Sequence, residues 1–254
     1  MKALIQHPSG NYTVHLDQGI DISIPVSADS AGVRAFHAPL PEFSPVISDS
    51  FTGSVQAGSP VNFFNVKVNP HGNGTHTECV GHITADRISV NRCLRRFFFI
   101  ARLISVAPVR QANGDFVIMP DAVKAQLTDT AVEAVILRTL PNDDSKLNRN
   151  YSGTNPPYLH PEVTGLLAAR SILHLLVDLP SVDKESDGGL LAAHKAFWGY
   201  PDNVRTEATI TELVYVPSKV ADGLYLLNLQ LAAFELDAAP SRPILFGLQP
   251  AAPA

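Results

Sequence analysis

A chain of 254 residues with 45% hydrophobic and only 17% charged side chains can bury a large core, and it is too apolar for a disordered polyelectrolyte. Nineteen basic and 24 acidic side chains give a net charge of -5, and no basic cluster stands out beyond Arg92, Arg95 and Arg96, which excludes a phosphate-tracking nucleic-acid binder. Two cysteines cannot build a disulfide framework, no apolar leader opens the chain and no stretch suits a membrane span, so a soluble cytoplasmic protein is expected.

Along the chain, residues 64–68 alternate apolar and polar side chains, the mark of a half-buried strand. Further strands are expected at 97–107, 132–139, 172–178, 210–216, 224–231 and 243–246. Helices are fewer. One follows Pro120 over 122–127, with Asp121 placed to cap it; a second runs 161–170 with Pro161 in its first turn; a third spans about 190–198. Residues 141–158 have no period and are rich in Asn, Pro, Asp and Ser, which suggests a lid. Strands outnumber helices, so the expectation is one α/β domain over residues 1–254 with a large mixed sheet and few helices. The low charged fraction implies surface buried again against another copy, hence a homodimer or homotetramer.

His71, His76 and His82 fall within 12 residues, in Pro70-His71-Gly72-Asn73-Gly74-Thr75-His76-Thr77-Glu78-Cys79-Val80-Gly81-His82. In an extended segment His76, Glu78 and His82 point to one side, and His71 needs the Gly72-Asn73-Gly74 turn to join them. Imidazoles with a carboxylate are the donor set of zinc or a similar divalent ion. Local residues are too few to close such a site. His160, His174 and His194 are the distant candidates, although His160 suits a helix start and His174 a buried strand.

The segment 74–82 resembles the His-x-Gly-Thr-His-x-Asp-x-Pro-x-His signature of the cyclase / bacterial kynurenine formamidase (arylformamidase) superfamily. Asp21-Ile22-Ser23-Ile24-Pro25-Val26, Leu137-Arg138-Thr139, Asp178-Leu179-Pro180-Ser181-Val182-Asp183, Ala193-His194 and Thr211-Glu212-Leu213 are similar to its other landmarks, in order. The resemblance implies a swivelling β/β/α-type fold, an oligomer, and a metal-dependent hydrolase holding one or two ions, zinc or manganese. It implies metal ligation by His76, Glu78, His194 and Glu212, and a general acid/base role for His82. The position of the first ligand holds Gly72, so His71 through a one-residue bulge, or Asn73, is expected to take its place. Glu78 stands where the family has Asp, and Val80 where it has Pro.

The implied reaction is hydrolysis of an amide or formamide C–N bond in a small molecule, with N-formylkynurenine giving formate and kynurenine as the family's model case. A divalent ion activates water and polarises the carbonyl, while His82 moves the proton. Phe63, Phe64, Tyr158 and Trp198 are candidates for gripping an aromatic ring. Two rivals remain at this stage: a Cys79 thiolate nucleophile activated by a neighbouring histidine, and a degenerate, non-catalytic metal-binding protein.

Overall fold

A computed structural model describes residues 1–128 and 131–251. Its centre is an 11-stranded sheet. The strands are β1 (Lys2–His7), β2 (Gly10–His15), β3 (Ile20–Asp21), β4 (His76–Cys79), β5 (Phe98–Val106), β6 (Ala134–Thr139), β7 (His174–Val177), β8 (Thr209–Glu212), β9 (Gly223–Asn228), β10 (Ala238–Pro240) and β11 (Ile244–Pro250). Their spatial order is β1-β2-β11-β9-β5-β6-β7-β8-β4-β10, with β3 beside β11. The sheet is mixed: β5, β6, β7 and β8 run parallel, and the pairs on either side are antiparallel.

The parallel centre follows from composition. Strand β6 reads Ala-Val-Ile-Leu-Arg-Thr and β7 reads His-Leu-Leu-Val, and every residue of both is buried. Such uninterrupted runs suit strands covered on both faces. Alternation still sorts the side chains. Val135, Leu137, Leu175 and Val177 join Val163, Leu167, Phe197 and Trp198 in one core. Ala134, Ile136 and Leu176 enter a second core with Val214, Val216 and Leu227 on the other face.

Among the described residues the α-helices are α1 (Val90–Cys93), α2 (Pro120–Lys124), α3 (Pro161–Ala169) and α4 (Ala192–Trp198). Helix α3 begins where Pro161 needs no N–H partner and His160 Nδ1 accepts the Glu162 N–H at 3.3 Å, so His160 is a cap. In α2 the cap is Met119, and Asp121 lies inside the first turn rather than before it. Helix α4 is bounded by two left-handed residues, Leu191 at φ 49 and Gly199 at φ 66. It packs against α3 over the first core.

Two further expectations change, and one element is added. The strand expected over 210–216 ends at Glu212, because Leu213 adopts φ 54 and turns the chain away. The β1–β2 hairpin was not anticipated. Residues 141–158 are a pinned connection rather than a lid: Lys146 Nζ is buried and donates to Asp178 Oδ2 at 2.8 Å and to the Thr139 carbonyl at 2.7 Å. Tyr151 is only 2% exposed, and Asp115 holds the Tyr158 hydroxyl at 3.0 Å. No helix among the described residues is long and apolar enough to cross a membrane.

Candidate metal centre

Strands β8 and β4 create the site together. Their antiparallel register sets Glu212 opposite His76 and Ile210 opposite Glu78. Period-2 alternation therefore brings His76, Glu78 and Glu212 onto one face, towards α4. On the reverse face Thr77 Oγ1 lies 2.8 Å from Thr211 Oγ1 and donates to Ser241 Oγ at 2.8 Å. The entry to β4 is fixed by Thr75, whose hydroxyl accepts the Ile24 N–H at 2.7 Å and donates to the Leu213 carbonyl.

Helix α4 delivers His194 from above the sheet. Its Nε2 lies 3.1 Å from Glu78 Oε1 and 3.8 Å from Glu212 Oε1. Its Nδ1 is 2.6 Å from Asp183 Oδ2, and the same carboxylate accepts the backbone N–H groups of Ala193 and His194 at 2.8 and 3.1 Å. Asp183 thus starts the helix and aims its histidine.

His71 also reaches the site. Its Nδ1 is 3.1 Å from Glu78 Oε2 and its Nε2 is 3.0 Å from Asp237 Oδ2. It arrives from a turn ahead of β4, not from the expected bulge. Gly72 is required for room rather than for a left-handed backbone, since a Cβ there would lie 2.4 Å from Ala38 Cβ and 3.0 Å from the Ala35 carbonyl. Asn73 is spent on that turn: its Oδ1 accepts the Asn69 N–H at 2.8 Å and its Nδ2 donates to the Pro39 carbonyl at 2.9 Å. Asn73 is therefore not free to replace the missing ligand.

A common pattern emerges. His194, His71 and His76 each give one ring nitrogen to an outer oxygen, of Asp183, Asp237 and the Gly74 carbonyl respectively, and turn the other towards Glu78 or Glu212. Metal-ligating histidines are oriented in this way. His76 Nε2 and Glu78 Oε2 are buried and make no well-directed hydrogen bond. Buried polar atoms without partners are rare and costly, and both point where an ion would satisfy them. His71, His76 and Glu78 can close around one ion, as can Glu78, His82 and His194. The donors present fit a divalent cation.

The electrostatics agree. Burial alone would strip the proton from His71, but the neighbouring carboxylates of Asp237 and Glu78 outweigh it and push the ring up to about 10. His194 is likewise pushed up to about 10 against its burial, by Asp183 and Glu78. Burial would raise the Glu78 carboxyl, yet the imidazoles of His82, His194 and His71 hold it well below the usual carboxylate range. The cage draws positive charge, and a cation can supply it in place of protons.

His82 stands at the mouth. It lies beyond the strand, in the 3₁₀ turn Val80–Ile83, so the turn and not strand alternation brings it round. Its Nδ1 is 3.3 Å from Asp237 Oδ2 and 3.9 Å from Glu78 Oε2, and its ring centroid is 4.4 Å from that of His71. Its side chain keeps 31% of its surface in solvent.

The remaining candidates lie elsewhere. His174 sits in the second-face core, with Nδ1 2.8 Å from Thr209 Oγ1. Cys79 is fully buried beside Val90, Cys93 and Ala239 on the face away from the ligands. Contact with Cys93 and then burial push its thiol far above the ordinary range, so no thiolate is available there. Trp198 is a core side chain donating to the Ala208 carbonyl at 3.0 Å, Tyr158 belongs to the Asp115 cluster, and Phe63 and Phe64 are exposed. None of these aromatics borders the cavity next to the ligands. That cavity, of ≈ 390 Å³, opens beside His71 and Asp237 between Leu40, Val68, Pro70 and Leu236. Asp183 and Asp237 are the two site residues that the residue pattern did not single out.

Residues 20–184 match the model of the family described as Putative cyclase. The fold is similar to that of a structure titled a potential metal-dependent hydrolase with cyclase activity, at TM-score 0.63 and 16% identity over 91% of this chain and 98% of that one. It is similar to a metal-dependent hydrolase predicted in Bacillus stearothermophilus, at 0.62 and 16% over 90% and 98%. Isatin hydrolase A from Labrenzia aggregata, bound to benzyl benzoate, matches at 0.61 and 12% over 90% and 93%. At these identities the likeness is one of fold; the match to the family over most of the chain carries the assignment, and the chain belongs to the cyclase family.

Proposed function

We propose that this protein is a metal-dependent hydrolase that cleaves an amide or formamide C–N bond attached to an aromatic ring, in the manner of the arylformamidases its motifs resemble. The observation that carries this reading is the convergence of three oriented imidazoles with Glu78 and Glu212 on two buried, unbonded donor atoms. Nitrogen and carboxylate donors suit zinc, and manganese also accepts such a set. The name of the isatin hydrolase neighbour supports the substrate class, since isatin is itself a ring amide fused to an aromatic.

His71, His76, Glu78, His194 and Glu212 would hold the ion or ions. When bound, a divalent ion lowers the pKa of water towards ~7 and polarises a carbonyl. His82 does the proton work. It is near enough to the cage to take a proton from attacking water and exposed enough to return it to the leaving nitrogen. The neighbouring cavity offers Leu40, Val68, Pro70 and Leu236 as apolar wall for the ring of such a substrate. A Cys79 nucleophile has no support, and the contact of His71 Nδ1 with Glu78 Oε2 at 3.1 Å supports a catalytic over a degenerate site.

Metal analysis after zinc or manganese loading, run beside a panel of aryl formamides, ring amides and lactones, tests the proposal. At least one ion per chain and chelator-sensitive hydrolysis of a C–N bond are expected. Metal well below one per chain after loading, or turnover that survives chelation, would overturn it.

A further inference from the structure

Asp237 touches two of the site histidines with one atom. Its Oδ2 is 3.0 Å from His71 Nε2 and 3.3 Å from His82 Nδ1. A carboxylate only accepts, so each ring nitrogen facing it carries the hydrogen. The second nitrogen of each ring is then the one left for chemistry. For His71 it is Nδ1, which faces Glu78 Oε2 at 3.1 Å and would give up its hydrogen to an ion bound there. For His82 it is Nε2, free to take a proton.

Resting on the proposed reading of the site, we propose that Asp237 is a positioning residue that fixes both tautomers at once: His71 as a metal ligand and His82 as the proton carrier. The other two ligand histidines have holders of their own, Asp183 and the Gly74 carbonyl. Asp237 serves a ligand and the acid/base together. The sheet fixes its place, because its carbonyl accepts the Cys79 N–H at 3.0 Å and the next residue, Ala238, pairs with Glu78 in the β4–β10 ladder. An edge strand thereby carries a carboxylate to within reach of two rings that come from a turn before β4 and a 3₁₀ turn after it. His71, His82 and Asp237 could themselves close around an ion, but among the described residues Asp237 joins no such group with Glu78, His76 or His194.

The test compares Asp237→Ala and Asp237→Asn with wild type in the full chain. Zinc affinity is measured by competition with a chromophoric chelator, zinc content by elemental analysis, and ring tautomers by long-range ¹H–¹⁵N spectra of imidazole-labelled protein. In zinc-loaded wild type His71 should be the Nε2–H tautomer and His82 the Nδ1–H tautomer. Asp237→Ala should keep the number of ions, weaken zinc affinity by about 10–100-fold as loss of an outer carboxylate does, and release His82 to the other tautomer. Asp237→Asn retains an acceptor oxygen and nearly the same shape, so it should recover part of both effects. Adding Asp237→Ala to His82→Ala should cost no further turnover at saturating zinc, because coupled residues are not additive. Unchanged affinity with an unchanged His82 tautomer would overturn the proposal. Loss of one whole ion per chain would overturn it too, by making Asp237 a ligand. If wild type bound no metal, the reading of the site would fall, while the His82 tautomer in wild type and Asp237→Ala would still decide whether Asp237 holds that ring.

Discussion

His76 and Glu212 are register partners across the β4–β8 ladder, yet their facing atoms, Nε2 and Oε2, stop 3.4 Å apart and His76 Nε2 forms no hydrogen bond. Two buried polar groups held this close and left unjoined mark the place of a third party. An ion held by them would link two strands that the sheet already pairs.

Removing the ion should therefore cost stability. A metal present at a hundred times its dissociation constant adds about 2.7 kcal/mol, which in a chain of this size is a shift of about 5–10 °C in Tm. Thermal melts with zinc and with excess chelator check this. Identical melts would mean that the donors are satisfied without metal.

His82→Ala should lower turnover by about 10²–10⁴-fold, the usual contribution of a general acid/base, while zinc content stays near that of wild type. Elemental analysis alongside kinetics separates the roles. Metal and activity falling together would make His82 a ligand, which its place near Glu78 and His194 also permits.

Gly72→Val touches no donor atom but should weaken zinc binding nearly as much as His71→Ala. The new side chain collides with Ala38 and the Ala35 carbonyl, and overpacking of this kind costs typically 1–3 kcal/mol, here by moving the turn that carries His71. Chelator competition on both variants reads the effect. Wild-type affinity in Gly72→Val would show that the turn can shift without losing its histidine.

Asp115 gives a pH signature away from the site. Lys184 first, then Asn155 and Tyr158, hold its carboxyl down to about 2, below the ordinary value of 3.8. A carboxyl lowered on folding stabilises the native state above the unfolded value, and this contribution disappears as pH falls through about 2. Asp115→Asn should thus flatten the decline of the urea midpoint between pH 4 and pH 2. A decline as steep as wild type would remove Asp115 from the acid response.

We propose a homodimer or homotetramer, on the strength of Phe43, Ile47, Phe63, Phe64 and Val66, which are all exposed on residues 42–67. Clustered apolar area of this kind marks an interaction surface. Light scattering at micromolar concentration should give at least twice the 27.3 kDa chain mass. A monomeric mass would refute it.

The central strands were legible because residues buried on both faces are largely apolar, as at Val135–Ile136–Leu137. The candidate metal donors near 76 were legible because histidine, acid and glycine crowd one short segment. The β1 strand was not, since its alternately half-exposed pattern over Lys2–His7 reads as loop without its partner. Strand 210–216 was read too long because an apolar run does not announce the left-handed Leu213 that ends it. Asp237 and Asp183 were missed as site residues for a further reason. Asp237 is a lone acid with no local period, and Asp183, although it closes the landmark 178–183, gives no sign of its partner; only the fold reveals that the first faces His71 across 166 positions of sequence and the second faces His194 across 11.

The two-sided character of β4 sets a rule for change in this chain. Side chains of odd and even number go to opposite faces, and a shift of one residue exchanges the faces along the whole strand. Deleting Thr75 or inserting a residue beside it would offer the cage Thr77 and Cys79, a hydroxyl and a thiol, and would press His76 and Glu78 against Thr211 and Ser241. Exchanges of residue type on this strand can be graded and sometimes repaired. A change of length cannot, and variants that differ here by one residue should have lost metal and packing in the same step.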